Sequence, residues 1–328
     1  MIGTTSLAKK SDALVGKESK LIDWGKTEYL KKLSRKIFGD VQSPFISVII
    51  QCHDRKEFLE QAISSALNQT LDKSLFEIIV VKNFASDMDR SLEEKGIRSV
   101  IVKQRGSGQK VRTAARYSKG QIISILDDDD TWSANKLELV HSLFSENKNL
   151  GYYKNNIKIL GSENCSERIV SFLNGNADNM DIIKEIYINN EAKQDSFDTT
   201  TKYGLNFNNS SISFRREILH GNLSNLGKIE ILVDNFIFCC AISSKYDLFA
   251  DSNKLTTYKL HDNNVSSPNS LEKFLDRNSI YVRDYRNMLK AFGNGNLPLK
   301  KYMAGRITAL EDREESARFF SYLYNLNK

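Results

Sequence analysis

The chain has 328 residues, 40% hydrophobic and 27% charged, with a formal net charge of +6. This is the length of one large α/β domain with an appendage, or of two domains, and the composition of a soluble globular protein. No run of about 18 apolar residues marks a membrane-crossing helix, the first 20 residues lack the apolar core of a secretory signal, and the mild positive charge fits an anionic substrate or a membrane surface without requiring either.

Residues 1–20 are polar. From Leu21 to Phe38, apolar residues recur at helical spacing (Leu21, Trp24, Leu30, Leu33, Ile37) while Lys26, Lys31, Lys32, Arg35 and Lys36 fall mostly elsewhere on the wheel. That pattern predicts a basic amphipathic helix, docked on the domain or lying on a membrane surface. A regular alternation then begins at Pro44. Phe45–Gln51 reads as a buried strand, Cys52-His53-Asp54-Arg55 as a polar loop, and Lys56–Gln69 as an amphipathic helix. Phe76–Lys82 is a second strand, Val100–Val102 a short third, and Gly106–Lys119 a glycine-led loop and helix. Gln121–Leu126 is the fourth strand, and it runs into four consecutive aspartates, Asp127 to Asp130. Trp132 and Lys136-Leu137 then look like the start of a helix.

Strands alternating with helices predict right-handed crossovers and a mostly parallel, Rossmann-like sheet flanked by helices. Ligands of such sheets bind beyond the carboxyl ends of the strands. Three polar clusters fall at those ends: His53-Asp54-Arg55, Lys82-Asn83 and Asp127–Asp130. Four carboxylates at one strand end concentrate negative charge that a cation would relieve, and carboxylate oxygen suits Mg²⁺ or Mn²⁺.

The second half is less regular. Tyr203–Phe214 is polar with strand character, and Ile229–Ile242 is an apolar helix candidate interrupted by Asp234. Lys254–Leu260 alternates as a strand and leads into His261, and Leu271–Leu289 and Tyr302–Leu326 read as helices separated by a Gly-Asn-rich break. The cysteines (Cys52, Cys165, Cys239, Cys240) lack CxxC or zinc spacing, so reduced structural thiols in a cytoplasm are expected.

The ordered set SVIIQCHDRKEFLEQAISSALNQTL, FEIIVVKN and GQKVRTAARYSKGQIISILDDDDTW resembles the inverting family 2 glycosyltransferases of the GT-A fold, from about Phe45 to Leu143 and more loosely to Ser266. The resemblance implies a nucleotide-diphosphate sugar donor, a divalent metal (Mg²⁺ or Mn²⁺) and an acceptor hydroxyl. It places the family's DxD motif on Asp127 and Asp129, with Asp129 the metal ligand and Asp127, with Asp128, on the donor. It places His261 on the metal or diphosphate, Arg112 on the diphosphate, and the catalytic base on Asp234. His53, Asp54 and Arg55 stand where the family has a Pro-Thr-Tyr-Asn-like turn. Lys82-Asn83 stand where it has an acid facing the base. A lysine only donates, whereas Asn83 can also accept, so the donor base stays open.

The implied organisation is an N-terminal extension (1–43), a nucleotide-sugar half (44–143), an acceptor and catalytic half (144–268) and a helical C-terminal extension (269–328). A glycan or lipid-linked acceptor, peripheral contact with the inner face of a membrane and a homo-oligomer are all compatible with the amphipathic helices. A nucleotidyltransferase would need a glycine-rich loop after the first strand, which is missing. A degenerate, non-catalytic binding module is the other alternative. Nucleic-acid binding is not expected, since no interleaved arginine and aromatic platform is present.

Overall fold

The computed structural model describes residues 43–54, 56–104, 106–161, 185–261 and 270–326. The N-terminal amphipathic helix, Arg55 and Cys165 lie outside them. The first four strands, β1 (Ile46–Gln51), β2 (Phe76–Lys82), β3 (Arg98–Ile101) and β4 (Ile122–Asp127), pair in parallel in the spatial order β3-β2-β1-β4. Helices α1 (Lys56–Leu67), α2 (Met88–Glu94) and α3 (Ser107–Tyr117) make the crossovers, as the alternation predicts.

Side chains of a strand alternate between its faces, and both faces here are covered. Ile46, Val48 and Ile50 of β1 join Leu59, Ala62 and Ile63 of α1 in one apolar layer, which also takes Leu137, Val140 and Phe144 of α4 (Lys136–Glu146). Ile49, Ile79, Val81, Ile123 and Ile125 join Val111, Ala114 and Ala115 of α3 in the other. Burial on both sides explains why these strands read as continuous Val/Ile runs. Gly120 lets the chain enter β4 tightly: a Cβ there would lie 2.5 Å from the Ser47 nitrogen.

Beyond β4 the sheet becomes mixed. β8 (Ile212–Arg215) pairs antiparallel with β4 and with β6 (Leu150–Gly161). β6 runs parallel to the long β9 (Asp247–Leu260), and β5 (Thr131–Trp132) and β7 (Ile186–Ile188) flank β9 antiparallel. Three local expectations change. Trp132 belongs to β5 rather than to a helix start, its indole N–H donating 2.7 Å to the Ser210 carbonyl. Of Tyr203–Phe214 only Ile212–Phe214 are strand; the stretch before them, which follows α5 (Phe197–Lys202), is turns and a short 3-10 turn at Asn209–Ser211. The final helix begins earlier, as α9 (Leu297–Leu326), after α8 (Leu271–Phe292). The buried helix carrying Asp234 is α7 (Val233–Ile242), preceded by the one-turn α6 (Leu223–Leu226). Cys52, Cys239 and Cys240 are buried and in no disulfide, and no helix among the described residues is long and apolar enough to cross a membrane.

Candidate active site

The strand order reverses between β1 and β4, whose carboxyl ends place Gln51 opposite Asp127. A crevice opens where crossovers leave in opposite directions. A cleft of about 900 Å³ occupies this place. On its β1–β4 side stand Gln51, His53, Lys110, Asp127, Asp128 and Asp129; on the other stand Asn206–Asn209, Asp234 and Asn235. Tyr281, Tyr285, Tyr302 and Arg306 reach it from α8 and α9.

The aspartates divide their tasks. Asp127 accepts hydrogen bonds from Gln51 Nε2 at 2.5 Å and Asn209 Nδ2 at 3.4 Å. Burial, and then the charge of Asp129, raise its carboxyl to about 7. Asp128 is buried and accepts the His53 N–H at 3.3 Å, which fixes the turn after β1. Asp129 Oδ2 lies 3.2 Å from His261 Nε2, and Phe58 of α1 stacks on the imidazole at 4.7 Å. Asp130 is structural: it accepts from Lys259 N–H and Asn208 Nδ2, both at 3.1 Å, tying the acidic turn to β9. Burial and its aspartate neighbours hold its carboxyl well above the usual range.

Asp234 lies in the first turn of α7. Its carboxylate accepts the Asn208 N–H at 2.9 Å and the Asn235 N–H at 2.8 Å. Burial raises its pKa against these bonds. Asn208 bridges the two centres, with its N–H on Asp234 and its amide on Asp130. Its φ of +68° is rarely adopted outside glycine and asparagine.

Other expected site residues stand elsewhere. Lys82 is fully buried, and its ammonium is held by the Phe84 carbonyl, Ser86 and Asp89 at 2.8–3.1 Å. That corrects its reading as a nucleotide contact: the lysine braces the loop after β2. Asp54 and Asn83 hydrogen-bond each other at the surface, beside but not on the cleft lining. Arg112 turns away from the cleft, with its guanidinium on Gln109 and its stem against Gly227, so the expectation that it meets a diphosphate is also corrected. Sequence reasoning missed Lys110, which is buried with its Nζ 3.2 Å from His53 Nδ1. Its place one turn into the glycine-led helix α3 was the available signal. It also missed the tyrosines of α8 and α9, whose spacing reads simply as helix.

A divalent cation suits this donor set. Asp129 and His261 offer oxygen and nitrogen ligands side by side, and the raised carboxyl of Asp127 marks negative charge that its neighbours leave uncompensated. No cluster of three His, Cys, Asp or Glu ligands is present among the described residues.

The fold is that of the GT-A glycosyltransferases. Residues 47–206 match the model of the glycosyl transferase family 2, and this part of the chain is a domain of that family. The Escherichia coli UDP-Glc:alpha-D-GlcNAc-diphosphoundecaprenol beta-1,3-glucosyltransferase WfgD is 29% identical over 131 residues, 38% of this chain and 51% of that protein. The chain thus spans about half of that relative. The Staphylococcus aureus poly(ribitol-phosphate) beta-N-acetylglucosaminyltransferase TarP is 23% identical over 278 residues, covering 80% of this chain and 78% of TarP. Two solved structures share the fold. One is S. aureus TarS 1-349 in complex with UDP-GlcNAc (TM-score 0.55, 14% identity, 83% of this chain and 72% of that one). The other is the Pyrobaculum calidifontis mannosyltransferase PcManGT with GDP-Man and Mn²⁺ (TM-score 0.54, 15% identity, 89% and 80%).

Proposed function

We propose that the chain transfers a sugar from a nucleoside-diphosphate sugar to an acceptor hydroxyl, with inversion and with the help of a divalent metal. One observation carries the reading: the acidic strand end, with Asp129 against His261, and the half-buried carboxylate Asp234 face the same cleft. Asp129 and His261 would hold the metal. When bound, it would neutralise charge on the leaving diphosphate. Lys110 adds positive charge and a hydrogen-bond donor on the same side, beside His53.

Asp234 is the base in this reading. An in-line displacement requires the acceptor hydroxyl to lose its proton as it attacks, and a carboxylate with a raised pKa takes that proton more readily. The acceptor would enter along the wall of Asn206, Asn235, Tyr285 and Tyr302, whose polar atoms already form one network: Asn235 Oδ1 accepts from Asn206 at 2.9 Å and from both tyrosine hydroxyls at 3.2 Å. A polyol fits a wall of tyrosine rings and amides. Relatives named for lipid-linked and polymeric acceptors support a glycan or lipid-linked acceptor, and with it peripheral contact with a membrane.

The test is a thermal-shift series with UDP-glucose, UDP-GlcNAc and GDP-mannose, each with and without Mn²⁺. Ligand bound to the native state alone raises its stability. A metal-dependent shift with one donor, lost in Asp129→Ala and kept in Asp234→Asn, supports the reading. No shift with any of them favours the non-catalytic alternative.

A further inference from the structure

Asp284 of α8 has no exposed surface. A buried carboxylate is costly unless its charge is satisfied. Here it accepts three consecutive backbone N–H groups: Glu230 at 2.9 and 3.1 Å, Ile231 at 2.8 Å and Leu232 at 3.1 Å. Burial raises its pKa, and these three bonds oppose the rise.

The segment it grips starts α7. Leu232 is the residue before the helix and has no side chain able to cap it. Asp284 therefore supplies from α8 the negative charge that favours a helix N-terminus. Two residues on is Asp234. The carbonyls of the same segment face the opposite way and hold α3: Ser107 N–H donates to the Glu230 carbonyl at 2.8 Å, and Gly108 N–H to the Ile229 carbonyl at 3.1 Å. The approach is close enough that a Cβ on Gly108 would sit 2.1 Å from the Leu226 carbonyl oxygen. Residues 229–232 thus join α3, which carries Lys110, to α7, which carries Asp234, and Asp284 clamps the junction from the C-terminal extension.

We infer that Asp284 is a positioning residue for Asp234: its grip on the N–H groups of residues 230–232 sets where the first turn of α7 presents that carboxylate. The inference rests on the proposed role of Asp234 for its catalytic meaning, but its geometric content can be measured without substrate. The Asn208 and Asn235 N–H groups report on the Asp234 carboxylate, because both donate to it.

The experiment is amide hydrogen exchange by NMR on the full chain, comparing wild type with Asp284→Asn. Exchange is expected to quicken at least tenfold at Glu230–Leu232, and also at Asn208 and Asn235. Quickening confined to 230–232, with Asn208 and Asn235 unchanged, would overturn the inference and leave Asp284 a local anchor. If Asp284→Asn does not fold, Asp284→Glu, which keeps the charge but displaces it, gives the same readout with a smaller expected rise. As a spectroscopic check, the Asp234 ¹³Cγ titration should shift in Asp284→Glu, which keeps the charge and displaces the grip; an unmoved titration there counts against positioning. Asp234→Asn is assayed separately for nucleotide release from UDP-GlcNAc and GDP-mannose. Release at the wild-type rate would remove the base assignment while leaving the exchange result standing.

Discussion

The parallel half of the sheet, β1 to β4, and the mixed half beyond it hold their functional groups in different ways. In the parallel half, topology alone delivers residues to the cleft: any side chain at the carboxyl end of β1 or β4 arrives at the switch point, as Gln51 and Asp127 do. In the mixed half nothing so general operates. Asp234 is placed by a loop tied to α3 on one side and to Asp284 of α8 on the other, and Asn208 spans the gap in a left-handed conformation. The first half is a platform that many side chains could occupy; the second is a particular set of long-range bonds.

Substitutions can break or sharpen this contrast. The largest expected effect is at Asp234. Asp234→Asn should lower transfer by about 10²- to 10⁴-fold, the usual worth of general base catalysis, with donor affinity kept. Turnover measured against pH should show the same point in the wild type. A base must be deprotonated to act, and burial raises the Asp234 pKa, so the rate should fall with decreasing pH at values above the ordinary carboxylate range. An acid limb at that ordinary range would argue against Asp234.

Next comes Lys82, in the parallel half. Lys82→Met leaves Asp89 without its cation, and Asp89 is part exposed, at 26%. The cost should be about 3 kcal/mol or less in urea unfolding, with donor preference unchanged. A changed donor preference would reopen the reading of Lys82 as a nucleotide contact.

Two glycines compare the halves directly. Gly120→Ala forces a Cβ against β1, and Gly108→Ala forces one against the Leu226 and Ile229 carbonyls. Each should cost about 1–3 kcal/mol as overpacking does. Only Gly108→Ala should also slow transfer in the surviving folded protein, because it strains the junction beside Asp234. Equal losses of activity per folded molecule would erase the distinction.

A further contrast concerns Asp127. A carboxyl whose folded pKa is raised to about 7 contributes stability below its unfolded pKa of roughly 3.9, and that stability is lost as pH rises through 7. Metal-free protein should therefore melt progressively lower between about pH 4 and pH 8. Added Mn²⁺ should restore the melting temperature most at the alkaline end. A Mn²⁺ effect independent of pH would dissociate the metal from this cluster.

The strands and helices of the parallel half were legible because local pattern and tertiary fate agree there: a strand buried on both faces must be apolar throughout, and Ile122–Leu126 is. Asp127, Asp129, Asp234 and His261 could be singled out as candidates because acids in apolar surroundings and a histidine closing a strand stand out; that they lie together at one cleft is a fact of the fold. β6 was not read, since its centre, Lys154-Asn155-Asn156, is polar yet buried. Several of its polar groups bond to distant positions, such as Lys154 Nζ to Ser211 at 3.2 Å and Asn155 Nδ2 to Thr256 at 3.1 Å.

The sequence by itself determined the alternating architecture, the acidic strand end and the family resemblance, because periodicity and motif order are properties of neighbouring residues. Only the tertiary structure decided that Lys82 braces a loop, that Arg112 faces away, that Lys110 meets His53, and that Asp284 grips the entry to α7. Those facts depend on which backbone groups lack a partner once the chain has closed on itself. A buried polar group takes the partner that the whole fold brings within about 3 Å, and residues more than fifty positions apart along the chain, as Asp284 and Glu230 are, carry no local mark of that meeting.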